Sequence, residues 1–292
     1  MLKSFPEILG KMENVTELVL EETPINELPC SFQNFTHLQR LQVRCCRTFK
    51  LPSCIVTMPK LVEILVWVLG EWQFPLDAVE DKVISTVSSN VECLTLVRCK
   101  LSNDFFPTAL TWFSNVKKLN LTGNDFTILP ECIKECHLLR DLCLDRCQYL
   151  QEVRGIPPNL EIFSAQLCIS LTSTEMLLNQ ELHESGGTTM FSLPGSRIPD
   201  WFEHCSSGDS ISFWFRNKFP AIALCLVPGS MFTEFALVPI VIINGKNRDE
   251  FTREYYCQSD HTYIFNLEKI KFVDRAGQEG VQTVPQLWAS IF

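Results

Sequence analysis

The chain has 292 residues, 46% of them hydrophobic and 20% charged, with a net charge of −9. This describes a folded globular protein with room for two domains. An acidic balance without a Lys/Arg cluster excludes a nucleic-acid surface, and no apolar run reaches the ~20 residues of a membrane helix. Up to residue 185 there are 16 Lys+Arg against 23 Asp+Glu, and beyond it 9 against 11. The acidity is therefore concentrated in the first part, which favours a neutral or basic partner there.

In chain order, MLKSFPEILG shows no apolar core of a signal peptide, which reads as an intracellular chain, cytoplasmic or nuclear. Leu2, Phe5 and Pro6 look like the tail of a repeat whose strand lies upstream. The repeat is clearest at residues 116–130, VKKLNLTGNDFTILP. Leu119 and Leu121 alternate as a short strand with one buried face. Asn124 follows where the chain leaves the strand and offers a side-chain amide to turn backbone groups. Phe126 and Leu129 return to the core, and Pro130 ends strand pairing. With Val116 in the first slot, this is the L-x-x-L-x-L-x-x-N-x-L pattern of a leucine-rich repeat, a unit that must stack on neighbours to bury its apolar face.

The central strand position recurs at Leu18, Leu41, Ile64, Leu94, Leu119, Leu142 and Phe163, at intervals of 23, 23, 30, 25, 23 and 21 residues. The long interval holds an insertion over residues 69–90, in a place where loops tolerate added length. Cys46, Cys99, Cys147 and Cys168 fall in the slot of Asn124, and Thr23 fills it in the first complete repeat. Of the 14 cysteines, these are read as ladder residues. Cys132, Cys136, His137, Cys143 and Cys147 lack the paired spacing of a zinc site, so no metal is expected.

Residues 1–171 are thus assigned to the repeats. Thr172-x-x-Glu175 offers a capping box for a helix ending at Gly186-Gly187, with Met176, Leu177 and Leu178 as packing residues. Residues 172–187 are accordingly a capping helix and linker. From residue 188 the runs ISFWF, AIALCLV, LVPIVII and TYIFNL are separated by Gly, Pro, Asn and Asp, the pattern of an all-β antiparallel sandwich over residues 188–292. Two adjacent aromatics, Trp201 and Phe202, follow the restrained turn at Pro199. They are expected to plug the sandwich core or the last repeat, at ~3–5 kcal/mol for Trp201→Ala; the alternative places Trp201 on the surface as a partner anchor, where truncation spares folding and abolishes binding.

Residues 193–215, LPGSRIPDWFEHCSSGDSISFWF, resemble the domain that follows the repeats in plant TIR-NBS-LRR immune receptors, the C-terminal jelly-roll and Ig-like domain. The motif lies at Pro194, Gly195, Ile198, Pro199 and Trp201. The repeat segments ETPINELP (residues 22–29) and LPECIKECHLLRDLCLDRCQYL (residues 129–150) resemble legume members of the same family. The resemblance implies a horseshoe-shaped α/β leucine-rich-repeat solenoid followed by a jelly-roll/Ig-like β-sandwich. It implies an intracellular recognition module that binds a pathogen effector protein in the defence response, in a family where binding releases a nucleotide switch. Oligomerisation is expected only of a full-length receptor.

No G-x-x-x-x-G-K-[ST] loop is present, so the nucleotide-binding switch of that family is not carried over, nor is the NAD⁺-cleaving chemistry of its TIR domain. No G-x-S-x-G or H-E-x-x-H pattern occurs, and His204-Cys205, adjacent along the chain, point apart. No catalytic residue or cofactor is assigned. Two other readings use the same residues. The sequons at Asn14, Asn34 and Asn120 fit an extracellular leucine-rich-repeat recognition protein, and a truncated isoform fits a decoy or adaptor that does not signal.

The candidate binding residues lie between the buried leucines, on the concave face: Arg40, Arg44, Leu65, Trp67, Val97, Lys118, Asp141 and Asp145. Leu65, Trp67 and Val97 are singled out as an apolar contact patch.

Overall fold

A computed structural model describes residues 4–45, 49–68, 72–73, 89–185, 190–202, 205, 223–228, 235–237, 241–243, 246–248 and 255–266. The chain divides into two units, Met1–Leu177 and Leu178–Phe292.

In the first unit the strands are β1 (Glu17–Glu21), β2 (Arg40–Cys45), β3 (Phe49–Lys50), β4 (Glu63–Val68), β5 (Trp72–Gln73), β6 (Cys93–Val97), β7 (Lys118–Asn120), β8 (Ile128–Leu129), β9 (Asp141–Cys143), β10 (Glu152–Val153) and β11 (Ile162–Ser164). One strand per repeat joins a parallel ladder in the order β1-β2-β4-β6-β7-β9-β11. Leu18, Leu41, Ile64, Leu94, Leu119, Leu142 and Phe163 are direct ladder partners in succession. All but the half-buried Leu18 of the first strand are buried. Two residues further on, Leu20, Val43, Val66, Leu96, Leu121, Leu144 and Ala165 form a second buried column. The 30-residue interval leaves the β4–β6 register intact, because lengthening a surface loop adds little closure entropy.

Each repeat then returns through a short segment set by Leu-Pro. Leu28-Pro29, Leu51-Pro52 and Leu129-Pro130 are followed by 3-10 turns at Cys30–Asn34, Ser53–Thr57 and Glu131–Glu135, which bury Phe32, Ile55 with Val56, and Ile133. Proline holds φ near −75° in an extended conformation and lacks the N–H that a helix start leaves unpaired. In the fourth repeat this return is the helix α1 (Phe105–Trp112), whose Phe106 meets Phe126 edge-on at 5.1 Å between centroids.

The expected ladder of turn-facing side chains is present and fully bonded at Asn124. Its Oδ1 accepts from the amides of Cys99 (2.9 Å) and Leu101 (3.2 Å), and its Nδ2 donates to the carbonyls of Leu96 and Leu121 (both 2.8 Å). The cysteines reproduce the donor half of this arrangement. Cys147 and Cys168 donate through Sγ to Leu121 O (3.2 Å) and Leu144 O (3.0 Å) of the preceding repeat, and Cys99 to Val97 O at 3.5 Å. The hydrogen bond with Cys147 and then burial raise the pKa of Cys168, keeping its thiol protonated as a donor. Cys46 lies outside the described residues.

The capping box does not start a helix. Thr172 N–H donates to Gln151 O, and Ser173 bridges Glu152, so this backbone still belongs to the last repeat. The helix of this region, α2 (Gln180–Ser185), begins later, with Asn179 Oδ1 accepting from the Glu181 amide at 2.9 Å. Leu177 is buried, whereas Met176 is exposed.

In the second unit β12 (Met190–Pro194), β13 (Ala223–Leu226), β14 (Phe235–Leu237), β15 (Val241–Ile243), β16 (Lys246–Arg248), β17 (Tyr255–Cys257) and β18 (His261–Asn266) are described. β18 runs antiparallel between β12 and β13, while β14 pairs with β17 and β15 with β16. Met190, Tyr263 and Phe265 share one face of the central sheet with Leu224 and Leu226. Phe191, Leu193, Thr262 and Ile264 lie on the other, and these are buried too. Both faces of β12 and β18 are therefore covered, which is why neither strand alternates polar with apolar residues. The ISFWF run lies outside the described residues.

Candidate functional site

On the exposed face of the ladder the register sets side chains into three columns. The first reads Glu17, Arg40, Glu63, Cys93, Lys118, Asp141 and Ile162. Its charges alternate and pair between neighbouring strands, Arg40 with Glu63 (2.5 Å) and Glu17 (3.5 Å), and Lys118 with Asp141 (3.4 Å). The hydrogen bond with Glu63, reinforced by its charge, raises the Arg40 pKa. Exposed pairs of this kind contribute ~0–1 kcal/mol, so they can exchange partners at little cost in stability.

The second column is Val19, Gln42, Leu65, Thr95, Asn120, Cys143 and Ser164. Val19 is exposed and Leu65 half-buried. Cys143 is largely enclosed, and burial followed by the Asp145 charge pushes its thiol up to about 12, so it stays protonated.

The third column carries Glu21, Arg44, Trp67 and Val97. Arg44 pairs with Glu21 at 3.0 Å and lies over the Trp67 ring, 4.9 Å from its centroid. Trp67 remains 43% exposed, so a guanidinium and an indole are presented together. Val97, expected in the same apolar patch, is buried at 5% exposure. Its register neighbour on β4 is Trp67.

Asp145 is committed elsewhere. Its carboxylate accepts from Ser164 Oγ (2.6 Å) and the Gln166 amide (2.8 Å), holding the exit of β11. The structure thus brings Arg40, Arg44, Leu65 and Trp67 together on β2 and β4 and sets Lys118 and Asp141 further along the ladder. Val97 and Asp145 have structural positions instead.

The residues after β12 form a tied loop. Gly195 adopts φ +97°, which an L side chain rarely tolerates, and donates its N–H to Asp260 O at 2.8 Å. The Thr262 hydroxyl bridges the carbonyls of Gly195 (2.7 Å) and Arg197 (3.0 Å). Pro194 is half-buried, Pro199 is buried and Ile198 is 40% exposed.

Trp201 is half-buried rather than a core plug. Its indole N–H donates to Leu178 O at 2.7 Å, and its ring stacks on Phe202 (4.0 Å) and on His183 (5.8 Å). His183, itself buried, meets Phe191 edge-on at 4.7 Å. Trp201 therefore packs on α2, whose His183 in turn meets β12, a partnership that spacing along the chain does not reveal. Trp201→Phe is expected to lose that one hydrogen bond, ~1 kcal/mol, and Trp201→Ala ~2 kcal/mol, below the cost of emptying a core site. Urea unfolding of the full chain measures both, and a loss of ~4 kcal/mol for Ala would return Trp201 to the core.

Among the described residues no group of three or more His, Cys, Asp or Glu converges to hold a metal, and no helix is long and apolar enough to cross a membrane. Sequence reasoning missed a different feature, at the strand exits. Glu22, Arg98, Gly123, Arg146 and Leu167 all sit four residues after the central strand position and all have positive φ, between 50° and 71°. Only Gly123 betrays that backbone in its residue type. Arg98, Lys100 and Arg146 from this edge line an open concavity of about 380 Å³ with Gly123, Asp125 and Tyr149.

Over residues 1–191 the chain matches the family described as "Disease resistance protein RPS4B-like, leucine-rich repeats". It is similar to TMV resistance protein N of Nicotiana glutinosa, 23% identical over 328 aligned residues, covering 82% of this chain and 29% of that protein. It is also similar to disease resistance protein RPS4B of Arabidopsis thaliana, 23% identical over 277 residues, covering 77% and 22%. Disease resistance-like protein DSC1 of the same plant is 25% identical over 187 residues, covering 62% and 13%. The chain spans less than a third of the length of these relatives. The matched region contains the whole parallel ladder with its Asn/Cys turn column and its Leu-Pro returns, and the chain belongs to the leucine-rich-repeat family of RPS4B-like plant disease resistance proteins.

Proposed function

We propose that this chain is the non-enzymatic recognition region of an intracellular plant immune receptor, cytoplasmic or nuclear, and that it engages a pathogen effector protein. In this reading the ladder is the inner wall of a horseshoe solenoid, and the second unit is a jelly-roll/Ig-like sandwich that adds to the binding surface. The observation that carries it is the pair Arg44 and Trp67, an indole 43% exposed beneath a guanidinium on the open face of the strands. Tryptophan and arginine supply a large share of binding energy at protein interfaces. The flanking ion pairs of Arg40 and Lys118 add charges that a partner can re-pair.

The extracellular alternative draws on the sequons. Asn34 Nδ2, the atom a glycan would occupy, donates to Ile8 O at 2.6 Å. That engagement works against a glycan at Asn34 and so favours the intracellular reading.

A photo-crosslinking residue at position 65, next to Trp67, tests the proposal in infected and healthy plant tissue. The expected product is a crosslink to a pathogen-encoded protein, lost in Trp67→Ala. That substitution removes a half-exposed ring, so the unfolding free energy should change by less than about 1 kcal/mol. Crosslinks to host proteins alone, unchanged by Trp67→Ala, would refute effector binding at this face.

A further inference from the structure

Cys30 and Cys54 stand outside the turn column, on the return segments of the first two repeats. The backbone holds these segments side by side. Glu27 bridges Lys50 in parallel, and the Lys50 amide donates to Asn26 O at 2.7 Å. That register carries Leu28-Pro29 onto Leu51-Pro52. Cys30, which opens one 3-10 turn, is then one step out of line with Cys54, the second residue of the next turn. Neighbouring strands lie ~4.8 Å apart and successive residues ~3.4 Å, so the stagger sets the two Cα atoms about 6 Å apart. A disulfide spans ~4.4–6.8 Å between Cα atoms.

The direction of the Cys54 side chain agrees with that placement. Burial pushes its thiol up to about 11, with the Gln33 amide acting against the rise and the Cys30 sulfur adding to it. Both neighbours belong to the turn Cys30–Asn34, three residues apart, which is one full turn of a 3-10 helix. The Cys54 side chain therefore points onto the turn that Cys30 opens. Cys30 is exposed and Cys54 half-buried. Cys147 and Cys168, by contrast, are buried and donate their thiols to ladder carbonyls. A solvent-accessible thiol with a second thiol beside it is the arrangement in which a sulfenic acid is resolved to a disulfide.

We propose that Cys30 and Cys54 form a reversible disulfide when the chain meets hydrogen peroxide, Cys30 reacting first and Cys54 resolving it. The Cys30 thiolate attacks one peroxide oxygen, the O–O bond breaks, and the departing oxygen takes up a proton and leaves as water. The Cys54 thiolate then attacks the sulfur of the resulting sulfenic acid. The S–O bond breaks, and that oxygen leaves as a second water. Two thiols and one peroxide thus give one disulfide and two waters, with one electron from each sulfur reducing the peroxide. In an intracellular chain such a bond is transient and reports oxidation. It ties the first repeat, whose Leu18 is only half-buried, to the second. It thereby holds β1 against β2 whatever their exposed face binds.

Peptide mapping of the full chain after peroxide treatment and blocking of the remaining thiols tests the pair. Trypsin releases residues 12–40 and 51–60, each with a single cysteine. The expected product is these two peptides joined, lighter than their sum by two hydrogens and separated again by dithiothreitol. Dimedone, which traps sulfenic acids, should label Cys30 strongly in Cys54→Ser and weakly in the wild type. In Cys30→Ser it should leave Cys54 unlabelled. The oxidised wild type should melt about 3 °C or more above its reduced form, a shift absent in Cys54→Ser. Three results overturn the proposal. One is Cys30 oxidised without the joined product, and another is Cys30 joined to a different cysteine. The third is two copies of residues 12–40 joined to each other, which would make the bond one between chains.

Discussion

Asn124→Leu should lower the unfolding free energy by about 3–5 kcal/mol, among the largest effects of any single change in the repeats. The side chain is 1% exposed and makes four hydrogen bonds, all to backbone groups of its own turn and the preceding repeat. Leucine branches at the same atom but is larger, and it can replace none of these bonds. Two amides and two carbonyls would lose a buried partner, at roughly 1 kcal/mol or more apiece. Cys99→Ser is the control. Its Sγ makes a long contact of 3.5 Å with Val97 O, and a serine hydroxyl fits the same space, so a cost under ~1 kcal/mol is expected. Urea unfolding followed by circular dichroism reads both. Equal losses would mean that the turn column acts by volume and not by hydrogen bonding.

Phe106→Ala should cost a similar ~3–5 kcal/mol, by a different mechanism. Phe106 is 0% exposed and sits between Phe105 (5.4 Å) and Phe126 (5.1 Å), both edge-on. Removing it empties the space under α1, where the fourth and fifth repeats meet. Stacked repeats are stabilised by nearest-neighbour interfaces, so a hole at one interface uncouples the two sides. The expected signature is a lower midpoint together with a broader transition, because the array loses cooperativity. A midpoint shift worth less than ~1 kcal/mol would show that the repeats collapse into the vacated space.

The repeat architecture was legible because its signals are local. Alternation at Leu119 and Leu121 recurs with a spacing that survives the insertion at residues 69–90, and the seven central positions meet one to one in the ladder. The role of Asn124 was legible for the same reason, since an amide at a strand exit has few other uses. The helix start at Thr172 was misread because a capping box describes only what a helix would need. It cannot register that Thr172 and Ser173 already have backbone partners at Gln151 and Glu152.

The sequence by itself determined which residues form strands, which faces of them are buried, and where each repeat turns, since these depend on neighbours within a few positions along the chain. Tertiary structure alone decided how the exposed positions are used. Val97 is buried while Trp67, at the same register of the repeat before it, stays exposed, and Asp145 is occupied because Ser164 and Gln166 of the next repeat reach it. Arg98 and Arg146 meet around one hollow only because Gly123 separates them without a side chain. In each case the deciding neighbour lies about one repeat or more away in sequence but within a few ångströms in space. Access, pairing and charge density follow from that spatial neighbour, which periodicity along the chain does not specify.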